Sequence, residues 1–366
     1  MTPIRVLVVD DSVVIRKLVS DLLSADPDIE VVGTAVNGRA ALQKAATLKP
    51  DLITMDIEMP ELDGIEAVRQ LRASGSRIPV IMFSTLTERG ATATLDALAA
   101  GASDYVPKPA NVGSVGRSIE QVRESLIPRI KSLVPGSPSR LRPVGVTPVA
   151  KPQVVRRAAA PRPAGGCRLV AIGSSTGGPE ALSKLLGQLP LLSVPVAVVQ
   201  HMPPIFTLQF ARRLDRLYGV EVSEATDGQV LRPGTVCIAP GDHHLEVRRE
   251  AGQLVARLHQ QPPENFCRPA VDVLFRSAAT ALGGSVLGVV LTGMGSDGCR
   301  GARDIVDRGG SLIVQDEASS VVWGMPGAVA GAGLAEEILP LGELATEIVR
   351  RVPQLASGGS PLGARL

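Results

Sequence analysis

The sequence predicts an α/β protein with two doubly wound parallel-sheet domains joined by a proline-rich linker. Short apolar runs alternate with helical patterns over residues 1–130, the alternation stops over residues 131–166, and it resumes over residues 167–355. Strands that alternate with helices pair in parallel, and the helices cover both faces of the sheet. The length of 366 residues agrees with this division, because a single hydrophobic core rarely serves so long a chain.

The composition is typical of a globular protein and indicates neither nucleic-acid binding nor membrane insertion. Hydrophobic residues make up 45% of the chain, the formal net charge is only +2, and aromatic residues, which stack on bases, make up 2%. No apolar run reaches the ~18 residues of a membrane span, and the N-terminus enters a strand pattern without a signal peptide. The four cysteines form no C-x-x-C motif, so we expect reduced thiols and a cytoplasmic location.

The first alternating region predicts five strands and five helices. Amphipathic spacing predicts the first two helices at Val13–Ala25 and Gly38–Leu48. The predicted strands are Ile4–Val9, Glu30–Ala35, Leu52–Met55, Val80–Phe83 and Tyr105–Val106.

The second region predicts parallel strands with an added hairpin. The parallel strands are Leu169–Gly173, Pro195–Gln200, Ser285–Thr292 and Ser311–Val314. Two further apolar runs, Thr235–Ala239 and Leu254–Leu258, flank a polar segment, which is typical of a β-hairpin. His243 and His244 fall in that segment. Adjacent histidines suit one metal poorly, so we interpret them as turn residues.

The segment between the two regions has a different composition. Residues 131–166 contain seven prolines and seven basic residues, with no Asp or Glu. This predicts a semi-extended basic linker, which serves either as a plain tether or as a docking site for an acidic partner. The last residues, 356–366, are small and polar and predict a flexible tail.

The stretch Leu169–Gly178, L-V-A-I-G-S-S-T-G-G, combines a buried strand, a polar turn and the start of a helix. A hydroxyl on such a turn lies beside free backbone N–H groups that stabilise an anion, so we predict that Ser175 is a nucleophile. His201 and Asp297 follow two other strands, at the same edge of the sheet. Acyl transfer requires this trio, because the imidazole takes the serine proton and the carboxylate orients the imidazole.

Two alternatives remain open from these residues. The glycine-rich S-S-T-G-G turn also suits phosphate binding. The segment Gly293–Gly298, G-M-G-S-D-G, matches a dinucleotide fingerprint, with Asp316 as the acidic residue further on. Its late position in the domain and the Asp297 carboxylate, which would repel a pyrophosphate, weigh against this nucleotide-binding module. No helix-turn-helix pattern supports DNA binding.

Carboxylates converge in the first domain, because Asp10 and Asp11 close strand one and Asp56 closes strand three. Such a cluster is costly unless a hard cation lies among its members, and oxygen ligands suit Mg²⁺. Ser84 ends strand four and Lys108 follows strand five. These residues predict a phosphoryl site in which Asp56 accepts the phosphoryl group.

Both halves resemble known families. Residues 1–130 resemble a response-regulator receiver domain through V-V-D-D, T-M-D-I-E-M-P, I-M-F-S-T and D-Y-V-P-K-P. Residues 167–355 resemble the catalytic domain of the chemotaxis protein-glutamate methylesterase/protein-glutamine glutaminase (CheB) family. That similarity is carried by I-G-S-S-T-G-G-P, Q-H-M-P, A-P-G-D-H-H, R-P-A-V-D-V-L-F, L-T-G-M-G-S-D-G and W-G-M-P-G-A.

The resemblance implies hydrolysis of glutamate methyl esters, and deamidation of glutamines, on the cytoplasmic helices of chemoreceptors. It implies that Ser175 is the nucleophile, His201 its base and Asp297 the orienting acid, with no cofactor. It also implies that the Met294 N–H is an oxyanion donor, next to Thr176 beside the nucleophile. The sequence departs from the family pattern at Cys267, Ala270 and Trp323.

For the receiver domain, the resemblance implies phosphorylation of Asp56 by a chemotaxis histidine kinase. It implies that Mg²⁺ is bound by Asp10, Asp11 and Asp56 with the Glu58 carbonyl, and that Ser84, Tyr105 and Lys108 respond to the phosphoryl group. The unphosphorylated receiver domain is expected to mask the active site.

Overall fold

The computed structural model describes residues 2–108, 115–134, 157 and 166–352, without the side chains of residues 115–119 and 121. The predicted tail and most of the predicted linker therefore lie outside the described residues. Within the described residues the chain forms two α/β units, each built on a parallel sheet. None of the described helices is long and apolar enough to cross a membrane.

The first unit is a five-stranded parallel sheet in the order β2-β1-β3-β4-β5, which confirms the predicted doubly wound domain. Its strands are β1 (Ile4–Val9), β2 (Ile29–Ala35), β3 (Leu52–Asp56), β4 (Val80–Ser84) and β5 (Asp104–Pro107). Its helices are α1 (Val13–Ser24), α2 (Gly38–Leu48), α3 (Gly64–Ala73), α4 (Glu88–Ala99) and α5 (Val115–Leu133).

Side-chain caps set where several of these helices begin. Asn37, Asp63 and Thr87 each accept a hydrogen bond from the backbone N–H three residues on, at 2.9, 2.8 and 3.0 Å. Each bond satisfies an N–H group that the first helical turn leaves without a partner. The turns between strand and helix are therefore held tightly at the carboxyl edge of the sheet.

The second unit is a seven-stranded, fully parallel sheet in the order β14-β13-β12-β6-β7-β9-β8. Its strands are β6 (Leu169–Ser174), β7 (Val196–Gln200), β8 (Glu221–Glu224), β9 (Thr235–Ile238), β12 (Val286–Val290), β13 (Ser311–Gln315) and β14 (Glu337–Leu339). Its helices are α6 (Gly178–Gln188), α7 (Pro204–Leu217), α8 (Val271–Leu282), α9 (Cys299–Asp307), α10 (Met325–Gly331) and α11 (Leu341–Arg351).

The predicted hairpin was wrong in one of its strands. The run Thr235–Ala239 contributes β9, which lies inside the main sheet between β7 and β8. The hairpin instead pairs β10 (His244–Glu250) with β11 (Gln253–His259). Ala251 and Gly252 join these strands with φ of 47° and 83°, the left-handed pair that a tight two-residue hairpin requires.

His244 also differs from its predicted place in a turn. It opens β10 and is buried. Its Nδ1 accepts the backbone N–H of Ala270 at 3.2 Å, and its Nε2 lies 3.2 Å from the Pro262 carbonyl oxygen. Burial is the main cause of a lowered His244 pKa. These two hydrogen bonds of His244 therefore stabilise the loop that leads into α8.

The two units contact each other through β5 and α4 of the first and α7 of the second. The Tyr105 ring stacks on Phe206, with ring centroids 4.7 Å apart and an interplanar angle of 9°. Asp96 on α4 forms an ion pair with Arg213 on α7. Val322 of the second unit packs within the apolar cluster of the first. These contacts place the β5 edge of the first sheet over the carboxyl edge of the second.

Candidate active site

The turn after β6 distinguishes its two serines. Ser174 is fully buried and donates its hydroxyl to Gln200 Oε1 at 2.7 Å. The amide of Gln200 in turn donates to the carbonyl oxygens of Ser175 (3.0 Å) and His201 (3.3 Å). Among the described residues, Ser175 Oγ has no hydrogen-bond partner, and Ser175 lines a cleft. The Ser174 hydroxyl thus has a structural role, whereas the Ser175 hydroxyl is available to react with a substrate.

Close packing around this turn requires glycine. A Cβ at Gly178 would lie 2.0 Å from Gln200 Oε1, and one at Gly293 would lie 2.9 Å from Ser175 Cβ. Contacts under 3 Å would displace the Gln200 amide or the Ser175 side chain itself. The glycines of both loops therefore allow the nucleophile turn to lie against the loop that carries Asp297.

His201 and Asp297 meet at this edge, as predicted. His201 Nε2 lies 2.8 Å from Asp297 Oδ2. The backbone N–H groups of Val271, Asp272 and Gly298 also donate to this buried carboxylate, at 2.7, 3.1 and 2.9 Å. Burial would raise the Asp297 pKa, but the hydrogen bonds from His201 and the backbone outweigh it and lower that pKa. Asp297 is therefore held as a carboxylate.

The same geometry argues against the dinucleotide alternative. In a phosphate-binding loop, free backbone N–H groups point at the ligand. Here the Gly298 N–H is bonded to Asp297 Oδ1, and that carboxylate occupies the place of a ligand.

Asn265 is a site residue that the sequence analysis missed. Its amide nitrogen donates to both Asp297 Oδ1 and Asp272 Oδ2, each at 2.8 Å. Asp272 is fully buried at the start of α8 and also accepts the Gly301 N–H at 2.7 Å. The amide therefore bridges two carboxylates and fixes the orientation of Asp297. No sequence motif marks Asn265, because Asp297 lies 32 residues further along the chain.

Cys267 contacts the other nitrogen of His201. Its Sγ lies 3.5 Å from His201 Nδ1, the ring nitrogen that faces away from Asp297. Burial would lower the His201 pKa, but the interactions with Asp297 and Cys267 outweigh it and raise that pKa to about 10. Because Nε2 is taken by Asp297, Nδ1 is the nitrogen left to accept a proton.

Thr176 follows Ser175 in the chain, and Met294 follows Gly293, which packs against Ser175. Among the described residues, the Met294 backbone N–H has no hydrogen-bond partner, as an oxyanion donor requires. The buried Thr176 hydroxyl instead donates to Asp104 Oδ2 of the first unit at 2.7 Å. Arg129 Nε donates to the same oxygen at 3.1 Å.

The cleft itself lies between the two units and has a volume of about 450 Å³. The second unit contributes Ser175, Thr176, His201, Phe266 and Cys267 to its walls, among others. The first unit contributes Leu98, Asp104, Tyr105, Pro107 and Arg129. Side chains of the first unit thus line the same cleft as Ser175, the candidate nucleophile.

The second candidate site lies at the carboxyl edge of the first sheet. Asp10, Asp11 and Asp56 each present a carboxylate oxygen within 4.8 Å of the others. Lys108 Nζ lies 2.7 Å from Asp56 and 3.1 Å from Asp10. Burial raises the Asp56 pKa, against the opposing effect of Lys108. The three clustered carboxylates fit a hard cation with oxygen ligands.

The remaining predicted residues lie around this cluster. Ser84 Oγ accepts from Thr94 at 2.6 Å and donates to the Gly90 carbonyl at 3.2 Å, so α4 holds it. Glu58 lines the same cavity as Asp56, and its exposed side chain lies 3.3 Å from Arg89. Tyr105, which with Ser84 is predicted to respond to phosphorylation, stacks on Phe206 of the second unit.

The fold and the site define a receiver domain followed by a parallel α/β domain with Ser, His and Asp at its carboxyl edge. The family models for the response regulator receiver domain and the CheB methylesterase match residues 6–120 and 170–348. A protein-glutamate methylesterase/protein-glutamine glutaminase of Nocardioides sp. is 71% identical, covering 100% of both chains. A relative of the same name from Trichodesmium erythraeum is 49% identical, over 96% of this chain and 100% of its own. The chain therefore belongs to the CheB family, which confirms the resemblance.

Among solved structures, the chain is similar to the catalytic domain of Thermotoga maritima CheB methylesterase. That domain is 40% identical, and the match covers 50% of this chain and 98% of that chain, with a TM-score of 0.49.

Proposed function

We propose that this chain is a phosphorylation-activated hydrolase that removes methyl esters from glutamates of chemoreceptor helices and deamidates receptor glutamines. The observation that carries the proposal is that Ser175, whose hydroxyl bonds to no described residue, lines the same cleft as His201, which lies 2.8 Å from Asp297. Family membership supports the reaction class, because the relatives are named for both activities.

In the proposed reaction, Ser175 Oγ attacks the side-chain carbonyl carbon of the substrate, and His201 Nδ1 takes its proton. The Met294 N–H stabilises the oxyanion. His201 then protonates the leaving group, so methanol leaves from an ester and ammonia from an amide. Water, deprotonated by the same imidazole, hydrolyses the acyl-enzyme. Asp297 holds the imidazole and offsets its charge throughout.

Control comes from the receiver domain. Asp56 accepts the phosphoryl group from a histidine kinase. Asp10, Asp11 and Asp56, with the Glu58 carbonyl, would hold Mg²⁺, which would supply positive charge at this site. Lys108 and Ser84 then bind the phosphoryl oxygens.

The switch acts on the domain contact through these residues. Ser84 must leave the hydrogen bonds with α4 that it makes here, and Tyr105 must leave Phe206. Each change weakens the contact that covers Ser175, so phosphorylation opens the site.

The test is methanol release from a methylated receptor fragment. We expect Ser175→Ala to abolish release, and Ser174→Ala, the matched control on the same turn, to retain measurable activity. A fragment beginning at Gly166 should be faster than the unphosphorylated full chain. A hydrolytically normal Ser175→Ala variant contradicts the catalytic assignment, and equal rates for fragment and full chain contradict the masking.

A further inference from the structure

Phe266 is the most exposed large apolar side chain among the described residues, at 103% relative exposure. It lies at the tip of a tight turn closed by reciprocal backbone hydrogen bonds between Glu264 and Cys267, at 3.1 and 2.9 Å. Asn265 and Phe266 have φ of 52° and 62°. Turns of this kind favour glycine at the second of these positions, and left-handed backbone is unfavourable at a bulky residue. The Phe266 ring is therefore exposed to water, and its backbone has a conformation that is unfavourable for Phe.

The turn that carries this ring is firmly attached to the catalytic machinery. Asn265 bonds both Asp272 and Asp297 at 2.8 Å. Glu264 forms a bidentate pair with Arg276 of α8, at 3.0 and 2.8 Å. The tip therefore has a fixed position relative to Ser175, although the described residues leave its ring exposed.

The ring also belongs to the wall of the cleft that contains Ser175. The other wall is provided by the receiver domain, whose Leu98 and Tyr105 line the same cleft. This part of the catalytic domain thus accepts apolar protein surface. The described part of the receiver domain leaves Phe266 exposed, whereas Ser175 is half-buried.

We propose that Phe266 is a docking anchor for the protein substrate, and that it binds an apolar side chain on the helix that carries the modified glutamate. The inference rests on the proposed function. On a helix, residues three, four and seven positions apart share one face, so a helix laid across the cleft presents an apolar neighbour beside the ester. A rigidly placed aromatic ring is typical of the residues that dominate such interfaces.

The experiment compares kinetics of the full chain, activated by a phosphodonor, on two substrates. One substrate is a methylated receptor fragment, and the other is a small acyl ester that cannot reach Phe266 and Ser175 together. We expect Phe266→Ala to raise KM for the receptor at least fivefold, and to lower the ratio of kcat/KM on receptor to kcat/KM on the small ester by a similar factor. Phe266→Trp should restore most of the receptor KM. Leu217→Ala, which truncates an exposed apolar residue of α7, is the control.

Each outcome of these measurements supports or overturns the proposed role of Phe266. An unchanged receptor KM in Phe266→Ala overturns the proposal, and so does an equal loss on both substrates, which would mean that the ring acts through the triad. A loss of self-association in Phe266→Ala, with unchanged receptor kinetics, would assign the ring to a second copy of this chain. If wild-type protein hydrolyses the small ester but never the receptor, the proposed function fails first and the anchor with it.

Discussion

The buried contact between Asp104 and Thr176 offers a direct test of the proposal that the receiver domain masks the active site. Asp104 is a receiver residue, almost fully buried, and its Oδ2 accepts the Thr176 hydroxyl across the domain boundary at 2.7 Å. The substitution Asp104→Ala removes this acceptor without changing any residue of the catalytic domain. Arg129, which shares the carboxylate, remains on the receiver side.

The expected magnitude follows from the chemistry of that bond. A hydrogen bond to a charged group contributes about 1.5–3 kcal/mol. Each 1.4 kcal/mol is tenfold in an equilibrium constant, so the closed state should lose about 10- to 150-fold in population relative to the open state. Asp96→Ala is the matched control, because Asp96 also reaches across the boundary, to Arg213, but through a partly exposed ion pair. Such pairs contribute about 0–1 kcal/mol, which is at most about fivefold.

The assay is methanol release from a methylated receptor fragment without a phosphodonor. We expect the resting rate of Asp104→Ala to rise at least about tenfold, up to the rate of the fragment that begins at Gly166, whereas Asp96→Ala should rise much less. Thermal unfolding verifies that the receiver domain of each variant is folded. A resting rate of folded Asp104→Ala equal to that of wild type refutes the assigned role of this contact.

Three further predictions concern activation, positioning and pH. Asp56→Asn should keep the resting rate but lose stimulation by a phosphodonor, and a metal chelator should have the same effect on wild type; stimulation that survives either change contradicts the receiver assignment. Asn265→Ala should lower kcat on a small ester about tenfold, because Asp297 loses a bond worth about 1.5–3 kcal/mol; an unchanged kcat would leave Asn265 a structural role only. Cys267→Ala should shift the acidic limb of the kcat/KM profile to lower pH, since the thiol contact helps to raise the His201 pKa; an unshifted limb argues against that contact.

Local patterns in the sequence predicted both parallel α/β domains, although not every strand of the second sheet. Alternating apolar runs and helical spacing predicted both parallel sheets, and carboxyl ends of parallel strands lie at one edge. That rule alone brings Asp10 near Asp56, and His201 near Asp297. Thr235–Ala239 was misassigned because a short apolar run has the same sequence pattern in a hairpin as in a parallel sheet.

What tertiary structure decided depends on partners far apart in the chain. Ser175 is distinguished from its neighbour because Gln200, beside it only in the folded sheet, takes the Ser174 hydroxyl. Asn265 joins the site through two carboxylates that the fold brings to it. The stacking of Tyr105 on a ring of the other domain likewise has no counterpart in any local pattern. Propensity and periodicity report on a residue's own strand or helix, whereas these contacts arise only when separate elements pack together.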